Sequence, residues 1–244
     1  MASAHSELKT PLFLLAMPQV LDPFFRHAVV LLVHHDAIEG SLGFIVNRPT
    51  ELKLKDILQD LEIPWQSEDS PNAFFGGPVR PEVGTLLFLD KDQLDKDQLD
   101  KELLARDPAE HGGRNGAAGA GRFVPDSEPL GRDPLEGDAF DGEGPNERQI
   151  CPGVSASQSV SDLETLEDRP SDSFRLYLGY AGWGEGQLEV EILRNDWLIA
   201  PVLTELIFSG TPEETWRAAL ISVGVNPDQL PMWTQQSDSE PAAN

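Results

Sequence analysis

Apolar side chains in the first part of the chain fall in short dense runs broken by Gly, Pro and charged residues. PLFLLAM from Pro11 and AVVLLVHH from Ala28 have the aliphatic and β-branched content of buried strands. SLGFIVNRP from Ser41 reads as a third strand, with Gly40 at the turn before it and Pro49 ending it. At Thr50 the period changes. Leu54, Ile57, Leu58 and Leu61 recur at helical spacing, so an amphipathic helix is predicted there, with Thr50 as its N-cap. A tight turn at FFGGPV and an apolar strand, TLLFL at Thr85–Leu89, complete this block.

The pattern then dissolves. KDQLD occurs twice in succession from Lys91, and Gly, Ala, Pro, Asp and Glu dominate as far as Glu147. So few large apolar groups cannot offset the entropy of ordering the chain, which predicts a mostly disordered acidic insertion over 91–147. Its start has helix-favouring pairs, Asp92 with Lys96 and Asp97 with Lys101, but Leu94 and Leu99 drift around the helix and form no apolar face.

Regular patterning returns with ICPGVSASQSVSDLETLED, where Ser161 and Glu164 have capping-box spacing. FRLYLGYAGW reads as a strand entering a Gly-rich turn, GQLEVEILRNDW as a helix with Leu188 and Ile192 on one face, and WLIAPV as a further strand. The best-signalled helix has Thr211 as N-cap, Pro212 at N1, Glu214 at N3 and Gly224 beyond its end. The expected organisation is a flexible N-terminus (1–10), one α+β domain in two parts (11–90 and 148–228) split by the insertion (91–147), and a flexible tail (229–244).

Charge narrows the function classes. With 42 acidic and 18 basic residues the net charge is −24, and 26 acids against 11 bases remain outside Asp90–Glu147, so nucleic-acid binding is disfavoured. The lone cysteine, Cys151, precludes an internal disulfide and a Cys-rich zinc site. No basic leader and no apolar stretch of about 20 residues is present, so a cytoplasmic protein without a membrane span is expected.

Few residues suggest chemistry. His34 and His35 are adjacent, and on a regular strand they point to opposite faces and cannot share one ion. Asn47 and Arg48 close a strand; Arg48 could grip a carboxylate or phosphate, although the plain reading pairs it internally with an acid. Gly76 and Gly77 lack the length and the Lys-Ser/Thr of a phosphate loop and read as a tight turn. GYAGWGEGQLE offers Tyr180, Trp183, Gln187 and Glu189, but Glu185 and Glu189 put negative charge where an anion would sit. Cys151 has one neighbouring cation, Arg148, and reads as an inert thiol. Asp138, Asp141 and Glu143 lack the alternating spacing of a calcium loop. GxSxG and HExxH are absent.

MPQVLDPFFRHAVVLLVHHDAIEGSLGFIVNRP, then FFGGPV, then LGYAGWGEGQLEVEI with Trp197, and finally the Trp216 helix together resemble the YqgE/AlgH family. The resemblance covers most of the chain outside the tail and the insertion. It implies a twisted mixed β-sheet packed with helices in a bacterial protein, without an established reaction or cofactor, and a regulatory role for some members. Two departures stand out: the insertion replaces an expected short connection, and His27 stands where a small hydroxyl residue is expected. The leading expectation is a non-catalytic binding or regulatory module acting through a protein partner, with no cofactor and no metal. Its candidate surface is His35, Asn47, Arg48, Gly76, Gly77, Tyr180, Trp183, Gln187 and Glu189. The alternatives are a small-molecule-binding protein or enzyme using Asn47, Arg48 and the Gly179–Glu189 segment, and a transcriptional regulator.

Overall fold

Strand β1 (Leu12–Ala16) is buried at every position, as an uninterrupted apolar run requires, because each of its faces meets a separate core. Phe13 and Leu15 enter one cluster; Leu12, Leu14 and Ala16 enter the other. The computed structural model describes residues 8–67, 70–90, 147–208 and 211–231. The expectations for residues 1–7, for the insertion over 91–146 with its helical pairs and calcium-like acids, and for the tail over 232–244 lie outside the described residues.

After β1 come β2 (Val29–Asp36), β3 (Gly40–Ile45), β4 (Pro49–Lys53), α1 (Leu54–Asp60), β5 (Asn72–Phe75) and β6 (Val79–Leu89). Beyond the insertion follow β7 (Glu147–Cys151), β8 (Val154–Ser157), α2 (Val160–Leu163), β9 (Phe174–Trp183), α3 (Gln187–Leu193), β10 (Trp197–Ala200), α4 (Glu205–Phe208) and α5 (Pro212–Ser222). The strands join in the order β10-β1-β2-β3-β9-β6-β8-β7, and the β4–β5 pair attaches through β5 to β9. Among the described residues only β5–β9 is parallel, so the sheet there is mixed by one pair and otherwise antiparallel. This is a single α+β domain.

Helices cover the sheet in three places. Trp216, Ala219 and Leu220 of α5, with Leu206, Ile207 and Phe208 of α4, pack on Phe13, Leu31, Phe44 and Tyr177. Leu188 and Ile192 of α3 pack on Leu14, Val30, Leu32 and Ile45. Leu54 and Leu58 of α1 pack on Leu86, Phe88, Phe174 and Leu176. The sequence signals for α5 hold: Glu214 N–H donates to Thr211 Oγ1, Glu214 Oε2 accepts from Thr211 N at 3.0 Å, and Pro212 opens the helix. Trp216 Nε1 then donates to Ala16 O at 2.9 Å and fastens α5 to β1.

Several local expectations are corrected. The first helix begins at Leu54, not after Thr50, because Pro49–Lys53 pairs with Asn72–Phe75 and holds the backbone extended through Lys53. Thr50 Oγ1 instead donates to Ala73 O at 2.8 Å across that pair. Ser161 and Glu164 form no capping box; Ser159 is the N-cap of α2, with no side-chain cap bond. Ile150 and Val154 belong to a β7–β8 hairpin that carries the sheet past β6.

Gly76 and Gly77 do more than turn the chain. Gly76 N–H donates to Leu178 O, and Gly76 O accepts from Ile45 N, each at 2.8 Å, so this backbone slots between the end of β3 and β9. A β-carbon on Gly77 would lie 2.1 Å from the Tyr180 carbonyl carbon, and one on Gly76 would lie 2.2 Å from Gly179 O. Gly179, at φ +68°, would in turn push a β-carbon to 2.5 Å from Gly77 O. Gly77→Ala is therefore expected to cost about 3 kcal/mol or more, because backbone must move to admit the methyl group. Gly184→Ala, with only Gln187 Oε1 at 4.0 Å, should stay within about 0.5 kcal/mol. Urea unfolding midpoints for the two variants check the contrast.

Candidate functional site

The family-like residues of β2, β3, β9 and α3 meet at one end of the sheet. Between Leu32 and His34 the β2–β3 register slips by a bulge, which leaves Val33 on the α5 side and pairs His34 with Leu42 of the same core. His35 is thereby aimed at α3. The two histidines face opposite sides as expected, because the irregularity lies before His34 and the ladder is regular from His34 to Asp36. Burial lowers the pKa of His34, the larger influence, against the pull of Asp36.

His35 pairs with Ser41 in the ladder, and Ser41 with Trp183. His35 Nδ1 and Ser41 Oγ share a hydrogen bond of 2.8 Å, while Nε2 lies 3.7 Å from Glu189 Oε1, an oxygen with no hydrogen bond of its own. A serine, a histidine and a carboxylate in line have the composition of a proton relay. Access decides otherwise: the Ser41 residue is 4% exposed and the His35 side chain 5%, both beneath α3. Their arrangement ties helix to sheet.

Glu191, two residues further along α3, is a residue that sequence reasoning missed. Its Oε2 accepts both indole N–H groups, from Trp183 at 2.9 Å and Trp197 at 2.7 Å, while Oε1 accepts from Gln187 Nε2 at 2.9 Å. Gln187 Oε1 in turn accepts Gly184 N–H. The two indoles meet edge-on at 5.8 Å, and Phe25 packs against both. Spacing offered one clue, since Gln187 and Glu191 stand at i,i+4; the convergence of Trp183 and Trp197 needed the fold. Tyr180 faces the other core and is 6% exposed.

Asn47 and Arg48 are committed internally and in different directions. Asn47 accepts Val29 N–H and donates to His27 O and Pro212 O, joining β2 to the start of α5. Arg48 donates to Pro23 O at 2.7 Å and Arg26 O at 2.9 Å, so backbone carbonyls rather than the expected carboxylate receive it. Asn47 thus sits under α5 while Gln187 and Glu189 ride on α3, across the sheet. His27, at φ +55°, stacks 4.3 Å from Trp216 and reaches Glu213 at 3.4 Å, a packing use for the side chain that departs from the family pattern.

Arg175 was also missed. Its guanidinium donates to the carbonyls of Ser171, Phe174 and Phe208 and lies over the Phe74 ring. Beside it, Asn47 and Thr215 help line a cleft of about 30 Å³, room for about one water. A larger opening of about 300 Å³ lies over the β6–β9 pair, where Gly84 and Leu178 are partly uncovered between α1 and α2 and the buried Leu86 and Leu176 form the floor. Ile57 and Leu61 form one wall and Val160 and Leu163 another, with Asp60 and Glu82 also lining it. Nothing in the spacing foretold this groove, because its walls come from four separate stretches of chain. Among the described residues no three His, Cys, Asp or Glu side chains converge as metal ligands, and no helix is long and apolar enough to cross a membrane.

These features define a single-domain α+β protein whose best-formed polar clusters serve to join helices to a largely antiparallel sheet. Comparison with known proteins supplies the lineage. The family described as AlgH-like matches residues 13–111 and 134–228, leaving unmatched between them a stretch narrower than the 91–147 insertion. A UPF0301 protein of Methylococcus capsulatus is 34% identical over 92% of this chain and 94% of its own length. One from Alcanivorax borkumensis is 33% identical over 93% and 94%. The solution structure of the AlgH protein from Pseudomonas aeruginosa superposes with a TM-score of 0.55 at 25% identity, covering 90% of this chain and 94% of that one. A crystal structure of a Corynebacterium diphtheriae protein shares the fold, with a TM-score of 0.55 at 17% identity. The chain belongs to the AlgH-like UPF0301 family, for which no specific activity is evident.

Two outcomes follow. Glu191→Ala strands two buried indole N–H groups and should cost about 2 to 4 kcal/mol, whereas Glu191→Gln keeps an acceptor and should cost less; urea unfolding followed by tryptophan fluorescence separates them. Burial, assisted by Asp90, pushes the Cys151 thiol up to about 11. At neutral pH its thiolate fraction is on the order of one part in ten thousand, so Ellman's reagent should react slowly with the native protein and fast in denaturant.

Proposed function

We propose that this protein is a non-catalytic, cytoplasmic binding module that acts through protein contacts in a regulatory setting, with the groove between α1 and α2 as its contact surface. The observation that carries this reading is the groove itself. It is an apolar recess of about 300 Å³ open to solvent, with Leu61 (46% exposed) and Val160 (51% exposed) at its walls. Apolar surface left open beside a sheet gains free energy when a partner covers it.

Other readings have less support. A small-molecule site built from Asn47, Arg48 and the Gly179–Glu189 segment needs groups free to bind. Here Asn47 gives both amide donors and Arg48 one donor from each terminal nitrogen to backbone carbonyls, and Asn47 and Glu189 lie across the sheet from each other. A transcriptional regulator making direct phosphate contacts works against a net charge of −24.

Gly84 offers a clean test. A β-carbon there meets only Leu176 Cδ1, at 3.4 Å, so Gly84→Phe can fill the groove without backbone strain. A partner captured from native lysate, purified and titrated against the intact protein should bind the Gly84→Phe and Val160→Asp variants at least about tenfold more weakly. Equal binding to all three, or recovery of only nucleic acid or a metabolite, would overturn the reading.

A further inference from the structure

The groove has a charge pattern as well as a shape. Its floor and walls are largely apolar, from Leu86, Leu176 and Leu178 to Ile57 and Leu163, with Ser157, Gln158 and Ser159 adding neutral polar groups, while both ionisable residues that line it, Asp60 and Glu82, are acidic. Both carboxylates are reachable from solvent, for Asp60 is exposed and the Glu82 side chain is 71% exposed. Arg80 stands beside Glu82 at 3.9 Å, at the edge of ion-pair range, and is not part of the lining. An occupant that buries only apolar groups would leave these carboxylates against it with no charge in exchange, whereas a cation placed beside the apolar groups answers them.

Resting on the binding-module reading, we propose that the groove receives a short amphipathic segment of a partner protein in which a Lys or Arg adjoins the apolar side chains. The recess has room for a few side chains rather than a whole helix. Such a segment would lay its apolar residues on Leu61, Val160 and Leu178 and direct its cation toward Asp60 and Glu82. The net charge of −24 steers it to the surface, and the groove adds apolar contact beside its carboxylates. Recognition therefore requires both features in one ligand.

Fluorescence anisotropy of the full chain with three labelled peptides of one apolar pattern, carrying Lys, Gln or Glu at the charged positions, tests this. The Lys peptide should bind at least about tenfold more tightly than the Glu peptide, with a preference that shrinks as salt rises. Asp60→Lys with Glu82→Lys should reverse the order of the two, and Gly84→Phe should abolish both. Asp60→Asn with Glu82→Gln, changes at exposed positions, provides a second charge test should the reversal impair folding, and should level the three peptides. If the three bind alike, or the Lys peptide binds undiminished to Gly84→Phe, the proposal is overturned. If no peptide binds while the captured partner still depends on Gly84, the charge inference fails and the groove reading stands; if the partner is also indifferent to Gly84→Phe, both fail.

Discussion

At the centre of the sheet, backbone lies on backbone with no space for a side chain. Gly76 and Gly77 pass Gly179 and Tyr180 so closely that a single β-carbon on Gly76 or Gly77 would sit within about 2 Å of main-chain atoms. The consequence reaches well beyond the contact. β9 pairs with β3 through Ala181–Trp183, with β5 through Tyr177 and Leu178, and with β6 along its other edge. Those pairings coexist because the chain leaving β5 can tuck against β9 and hand a carbonyl to Ile45. The helices on both faces take their positions from this join.

Polar side chains in the family-like segments then act as fasteners between layers. Asn47 satisfies β2, the His27 carbonyl and the first turn of α5 together, and Glu191 gathers two indoles and a glutamine beneath α3. Each pairs buried polar groups that would otherwise be expensive to desolvate. A histidine, a serine and a carboxylate at His35, Ser41 and Glu189 follow the same logic. Their alignment has the ingredients of acid–base chemistry, but α3 and the sheet enclose it. An apolar recess open to solvent lies elsewhere, over β6 and β9 between α1 and α2.

Much of the fold was legible in the sequence. The uninterrupted apolar runs became β1 and β2, buried on both faces along all of β1 and the first half of β2, and the Thr211, Pro212 and Glu214 signals marked the start of α5 because capping is a local interaction. Helical spacing identified α1 and α3 for the same reason. Thr50 misled because a strand pairing with Asn72–Phe75, distant in sequence, holds the residues after it extended. The glycine pair read as a turn because spacing carries no information about what lies alongside.

The sequence by itself determined the family, the α+β class, the principal strands and helices, and the acidic balance, since each rests on composition, local periodicity or motif order. Tertiary structure alone decided which polar residues are free. Whether Arg48 meets a ligand or the Pro23 carbonyl, whether Glu191 is a free surface charge or a half-buried acceptor, and where an apolar groove remains open all depend on contacts between segments far apart in the chain. Those contacts are set by strand order and register, which no local pattern encodes.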